Sequence, residues 1–316
     1  MQFRTEIPVA TSDFQIDYQS DLLLLGSCFA ENIGRKLDYY KFKNKVNPFG
    51  IVFNVVSLEK LVDRTVHQKY FTEEDVFHHN DLWHCFEVHS ELSHPNKEIF
   101  LETLNQLLDS THAYIATISH CLITLGTSWV YRFKESDKIV ANCHKVPQKA
   151  FTKELLSVAQ NVTSLQNIVT LMQSINPKVK FVFTVSPVRH IKDGFFENNV
   201  SKSHLFAALY QAFDFKNPTF DYFPSYEIVM DELRDYRFYD RDWLHPNTVA
   251  IDYIWECFSR MYFNESTLLT LKEIETVQKG LHHRSFTPES EAHQKFLANL
   301  QEKINTLVNK LPHISF

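Results

Sequence analysis

Four consecutive leucines, Leu22 to Leu25, stop at Gly26, and apolar residues then recur at helical spacing through Phe29, Ile33, Leu37 and Tyr40. A short unbroken apolar run marks a strand buried on both faces, and the helical period after it predicts a helix over 28–40. The pattern returns at 121–125 and 181–185, apolar runs ended by Gly126 and by Ser186-Pro187. Helices are predicted at 57–67, with Ser57 as N-cap and Lys60 in solvent, and at 97–118 along Ile99, Leu101, Leu104, Leu107, Leu108, Ile115 and Ile118. Another is predicted at 152–174 along Leu155, Val158, Val162, Leu165, Ile168, Val169 and Met172, stopped by Asn176-Pro177. Later helices fall at 201–213, from Pro246 to about 262, and at 265–281 and 287–310. Asn47-Pro48-Phe49-Gly50 reads as a turn, and 129–133 with 138–141 as a hairpin. Residues 76–95 read as irregular and His-rich with a short strand at 85–88, and 214–226 as an aromatic-rich loop.

Apolar strands alternating with helices of more than about ten residues predict an α/β fold, a parallel sheet covered on both faces. Ligands in such sheets sit at the carboxyl ends of the strands. No internal repeat breaks the chain. Residues 1–262 are expected to form the main domain, with an inserted segment at about 57–118, and 263–316 a helical C-terminal extension. That extension carries an apolar stripe at Leu268, Leu271, Ile274, Phe296, Leu300, Ile304 and Leu307.

Composition narrows the function classes. Of the 316 residues, 44% are hydrophobic and 22% charged, enough apolar mass for a substantial core. The net charge of −6 lacks the basic footprint of a nucleic-acid binder. No apolar run is long enough to span a bilayer, and the first residues show no secretory apolar region. The five cysteines lack CxxC spacing, which fits reduced thiols and a cytoplasmic location. Only six glycines are used, so each is expected where a side chain would obstruct.

Candidate chemistry begins with Ser27, delivered by the Gly26 turn to a helix N-terminus. A serine hydroxyl there lies beside unpaired backbone N–H groups, but needs a base to become nucleophilic. Asp242 and His245 stand three residues apart ahead of another helix, a spacing that lets a carboxylate orient an imidazole. Candidate oxyanion donors are the Ser27 and Gly50 N–H groups, the Ser128 side chain and the Asn142 amide. His144, Arg189 and His190 follow predicted strands and are candidates for substrate binding. The run from His78 to His89 holds four histidines with Asp81, Cys85 and Glu87, but no helical ligand pair. No metal and no cofactor are therefore expected.

The string Gly26-Ser27-Cys28-Phe29-Ala30 resembles the signature of the GSCFA family. So do Asn47-Pro48-Phe49-Gly50, the stretch from Gly126 to Tyr131, Ala141-Asn142-Cys143-His144, and the stretches 184–190 and 231–239. That family is similar to the SGNH, or GDSL-like, hydrolases. The resemblance implies a three-layer, flavodoxin-like α/β/α fold. It implies Ser27 as nucleophile, Gly50 as a backbone donor, and Asp242 and His245 as the Asp-x-x-His block. Gly126-Thr127-Ser128-Trp129 departs from the Gly-x-Asn-Asp of those enzymes and puts the oxyanion hole in question. The expected function is a serine esterase acting on a small acyl ester, with a carbohydrate or glycoconjugate as the alcohol. An acyltransferase on the same site, a non-catalytic binding module and a metallohydrolase on the His-rich run are the alternatives.

Overall fold

The computed structural model describes residues 4–316. The leucine run forms β1 (Asp21–Gly26), and α1 (Cys28–Tyr39) starts after a single intervening residue, Ser27. β2 (Lys43–Val46) follows, then α2 (Val55–Val66), capped by Asn54, whose side chain accepts from the Ser57 N–H. Ser57, expected as the cap, is thus a first-turn residue, because the Asn54 amide already fills that role. Lys60 is not free in solvent but pairs with Glu87 at 2.7 Å. The His-rich run forms an antiparallel hairpin, β3 (Phe77–His79) and β4 (Leu82–His84), turned by Asn80 and Asp81 in left-handed conformations. The strand expected at 85–88 is not formed.

Next come α3 (Lys97–Ile115), β5 (His120–Leu125), β6 (Trp129–Phe133), β7 (Lys138–Val140) and β8 (Phe151–Leu155). The buried face of α3 runs through Phe100, Leu104 and Leu108, while Ile99 is half exposed. β8 was expected inside a helix. It pairs instead antiparallel with β6, and α4 (Val158–Ile175) begins only after a Ser157–Gln160 capping box. The chain continues through β9 (Lys180–Val185), α5 (Phe195–Ala212), β10 (Phe220–Tyr222) and a short α6 (Ser225–Glu227) that widens into a π-turn. It ends with α7 (Thr248–Tyr262), α8 (Glu265–His282) and α9 (Glu291–Lys310).

The central sheet is parallel throughout, in the order β2-β1-β5-β9-β10. Numbered by their place in the chain these strands run 2-1-3-4-5, the flavodoxin-like order, whose topological switch lies between β1 and β5. Successive side chains point to opposite faces. Leu23 and Leu25 join α2, α3, α4 and α5 in one apolar cluster, and Leu22 and Leu24 join α1, α7, α8 and α9 in the other. α8 and α9 are therefore part of the layer over α1. Gln278 reaches the Tyr39 carbonyl at 2.8 Å, and a Cβ on Gly280 would meet Leu300. Among the described residues no helix is long and apolar enough to cross a membrane.

Candidate functional site

The site forms at the switch, where β1 and β5 end side by side. Gly26 makes the turn. Its φ of +122° suits glycine, and a Cβ there would lie 2.1 Å from the Thr124 carbonyl oxygen. Its N–H donates to Asn47 Oδ1 at 2.8 Å, and the Ser27 N–H donates to the Thr124 carbonyl at 3.1 Å.

Ser27 is the N-cap of α1. It is 1% exposed, and its Oγ accepts the Phe29 N–H at 3.3 Å. An N-cap side chain folds back over its own helix, which spends its oxygen on the first turn. Cys28, the next residue, projects away around the helix. Its Sγ lies 3.7 Å from His245 Nε2. The imidazole expected to serve Ser27 therefore addresses the sulfur, and Ser27 Oγ makes no hydrogen bond to it. Cys28 was not among the candidate site residues. The available signal was its place as the first helical residue, where a thiol meets unpaired N–H groups and the positive end of the helix. Burial, with Glu31, raises the Cys28 thiol above its usual range, while Lys202 and the backbone N–H groups of Cys28 and Phe29 pull it down.

Asp242 and His245 come together as expected. Asp242 Oδ2 lies 2.5 Å from His245 Nδ1, and Oδ1 accepts the N–H groups of Leu244 and His245. Slight burial pushes the Asp242 carboxyl up, but the bonds from His245 and the Leu244 N–H outweigh it and hold the group at about 2. The loop is held from outside this pair as well. Trp243 takes a left-handed φ of +62°. Its carbonyl accepts from Arg189 at 2.9 Å, and Asn247 caps α7 while donating to the Arg237 carbonyl.

The donors expected at Gly50 and Ser128 are otherwise engaged. The Gly50 N–H donates to the Asn47 carbonyl at 2.7 Å, closing its own turn, and the glycine is required because His89 packs against it. Ser128 is fully buried; its Oγ donates to the Ser201 carbonyl and its N–H to Ser201 Oγ. Asn142 Oδ1 accepts from the His144 N–H, and its own N–H bonds the Phe86 carbonyl. Gly50 and Ser128 hold loops rather than aim donors at the sulfur, and Asn142 Nδ2 makes no hydrogen bond among the described residues. The Cys28 and Phe29 N–H groups pull the thiol down, the Phe29 N–H also donating to Ser27 Oγ.

The expected binding residues separate. His144 is buried against His84 and Phe77, with Nε2 on the Cys85 carbonyl at 2.7 Å, a core position that burial pushes down to about 4. Arg189 lies over the Tyr239 ring and braces Trp243. His190 stands edge-on to Phe53 and close enough to His245 and Lys202 to feel both, with burial as the main cause that takes it down to about 4. In the His-rich hairpin, His84 bonds Ser93 Oγ and the His79 carbonyl. Among the described residues no group of three His, Cys, Asp or Glu side chains is arranged to hold a metal ion, and all five cysteines are free thiols.

Among curated proteins none matches the chain. Among solved structures it is similar to an acetyl xylan esterase, Est2A, from the rumen bacterium Butyrivibrio proteoclasticus, at 10% identity and a TM-score of 0.36, over 70% of this chain and 57% of that one. The chain thus spans little more than half the length of that protein. The GSCFA family profile matches residues 21–258, and that of the GSCFA domain protein, C-terminal domain, matches 274–316. With the first match running from β1 into α7, across both halves of the site, the chain belongs to the GSCFA family.

Proposed function

We propose that the chain hydrolyses small acyl esters through a cysteine nucleophile. Cys28 Sγ attacks the ester carbonyl, His245 takes the thiol proton and returns it to the leaving alcohol, and Asp242 holds the imidazole in one tautomer. Water, deprotonated by the same imidazole, then releases the acyl group from the thioester. The observation that carries this reading is the Cys28–His245–Asp242 alignment, 3.7 Å and 2.5 Å between successive partners. The oxyanion would form at the start of α1, where the Cys28 and Phe29 N–H groups and the helix dipole favour negative charge. The order of sheet and triad fits the SGNH plan with the nucleophile moved one position along, from Ser27 to Cys28.

The side chains of His245 and Asp242 are 44% and 46% exposed. An open imidazole favours water as the acyl acceptor over an added alcohol, so hydrolysis is preferred to transfer. Tyr236 and Trp243 stand exposed beside it, edge to face at 5.8 Å. Such an aromatic rim suits a flat apolar or sugar-ring alcohol.

The test is turnover of a short-chain aryl ester by the full chain, with Cys28→Ala and Ser27→Ala compared. Loss of activity in Cys28→Ala and its retention in Ser27→Ala is expected. The reverse pattern would return the nucleophile to Ser27, and activity in both would remove the site.

A further inference from the structure

Trp243 stands in the turn that carries His245. Among the residues other than glycine that take a left-handed backbone, it has the largest side chain. At φ +62° a bulky residue is strained, and glycine would hold the same angle freely. The turn needs that angle for main-chain reasons. The Trp243 N–H donates to the Asp240 carbonyl, and the Trp243 carbonyl accepts from Arg189, each at 2.9 Å. It does not need an indole there. The side chain is 58% exposed, and its Nε1–H has no protein partner among the described residues. Its ring contact is with Tyr236, which is itself 60% exposed. Strain that carries an exposed aromatic ring is better explained by a ligand than by folding.

The ring is held firmly all the same. Tyr236 meets Tyr239 at 5.6 Å, Tyr239 lies under the Arg189 guanidinium, and Arg189 returns to the Trp243 carbonyl. This closed circuit spans both arms of the base loop. The arms bond each other through the Asp240 N–H on the His245 carbonyl at 2.8 Å and the Asn247 N–H on the Phe238 carbonyl at 2.9 Å. Two residues separate Trp243 from His245, so their Cα atoms are at most about 7 Å apart. In the mechanism above, His245 hands its proton to the leaving alcohol. The alcohol half of the ester, rather than the acyl half, is therefore the half next to this loop.

We propose that Trp243 is the specificity-determining residue for the alcohol, and that the alcohol is a pyranose sugar. The inference rests on the hydrolase reading and narrows it. A saturated sugar ring offers an apolar C–H face to the indole and hydroxyl oxygens to the free Nε1–H. An aryl alcohol would use the ring face alone. Arg241, exposed on the same turn and without an ion-pair partner among the described residues, adds donors for further hydroxyls.

The test compares three acetate esters in the full chain: an acetylated methyl glucoside, phenyl acetate and ethyl acetate. In Trp243→Ala the ratio of kcat/KM for the sugar ester to that for ethyl acetate should fall about tenfold, through KM rather than kcat. Trp243→Phe keeps a ring without the N–H and should recover part of the loss. A structural tryptophan would lower both esters by the same factor and leave the ratio unchanged, which would overturn the proposal. An equal loss for phenyl acetate would overturn the sugar assignment. Iodoacetamide alkylation of Cys28 against pH, followed by peptide mass spectrometry, should give the wild-type profile in Trp243→Ala. A shifted profile would show that the tryptophan holds the imidazole, and would also overturn the proposal. Saturation-transfer NMR with unacetylated methyl glucoside reads the subsite without turnover. Sugar binding that disappears in Trp243→Ala, in a chain that hydrolyses no ester, would keep the subsite and remove the hydrolase reading. Hydrolysis indifferent to the sugar would do the opposite.

Discussion

The two halves of the site are built in opposite ways. The β1–α1 junction is buried, and the sheet itself fixes it: a Cβ on Gly26 would run into the Thr124 carbonyl, and Asn47, Val52 and Thr124 bond the turn. The 239–247 loop lies on the surface and is fixed by local bonds: Asp242 to two N–H groups, Arg189 to the Trp243 carbonyl, Asn247 to its own loop, and a bridge between Tyr239 and Pro246. The proposed nucleophile is thus placed by the core and the proposed base by a self-bonded turn. Changes at the junction should damage the fold, and changes in the loop should damage catalysis alone. Cys28 is where the halves meet, and it belongs to both.

That contrast is broken most directly at Cys28. Cys28→Ala should reduce ester turnover by about a thousandfold or more, since removing a nucleophile removes the covalent route, with little change in melting temperature. Ser27→Ala should do the reverse. It keeps activity and costs about 1 kcal/mol of stability through the lost cap. Ester kinetics and thermal unfolding of the pair separate the two roles.

The second test sets the junction against the loop. Gly26→Ala places a methyl group on the Thr124 carbonyl at a φ that L-residues avoid. It should cost about 3 kcal/mol or more, by strain and displacement of β5. Asp242→Asn leaves packing untouched, so melting should stay within about a degree, while turnover should fall at least a hundredfold for want of an oriented imidazole. If Gly26→Ala melts like the wild type, the junction is not fixed by the sheet.

Acid should also divide the halves. His120 and His144 are buried, and burial lowers both from 6.5 to about 4. Between those values the unfolded chain binds the proton and the folded chain does not, so stability is full above pH 6.5 and falls as pH drops toward 4. Each histidine should be worth about 3 kcal/mol across that window. Asp242, held at about 2, stays ionised throughout it. Urea unfolding from pH 7 to 4 should show the slope, and His120→Phe should flatten about a third of it, because His190, likewise lowered by burial to about 4, contributes beside His144.

The same contrast decides what the sequence made legible. β1, β5 and β9 are apolar throughout and stand out by pattern. β2 does not, because an edge strand written Lys43-Asn44-Lys45-Val46 carries the charges that protect an unpaired edge. β10 is three residues long, and β8 ends on Leu155, which also fits the apolar stripe of the following helix. Asp242 and His245 were legible because a short turn brings them together through local bonds. Which of Ser27 and Cys28 faces the imidazole was not, because they differ only in which one caps the helix, a matter of backbone angle. Gly50 and Ser128 have the right donors for an oxyanion, but folding consumes them in a turn and a loop anchor.

The smallest expected effect tests whether the loop is as self-sufficient as its bonding implies. Arg189 reaches it from the end of β9, the sheet's own contribution to an otherwise local structure. Its guanidinium lies 5.3 Å from the Tyr239 ring centroid and donates to the carbonyl of Trp243, the residue in the strained left-handed conformation. Arg189→Met keeps most of the apolar stem and removes the brace. Two bonds from Asp242 and the cap at Asn247 remain, so the turn should persist, with Trp243 freer to relax. Turnover should then fall about threefold to tenfold, with melting and the Cys28 alkylation profile unchanged. A loss as large as that of Asp242→Asn would mean that the sheet, through Arg189, positions the base as firmly as it positions the sulfur, and the two halves would no longer differ in kind.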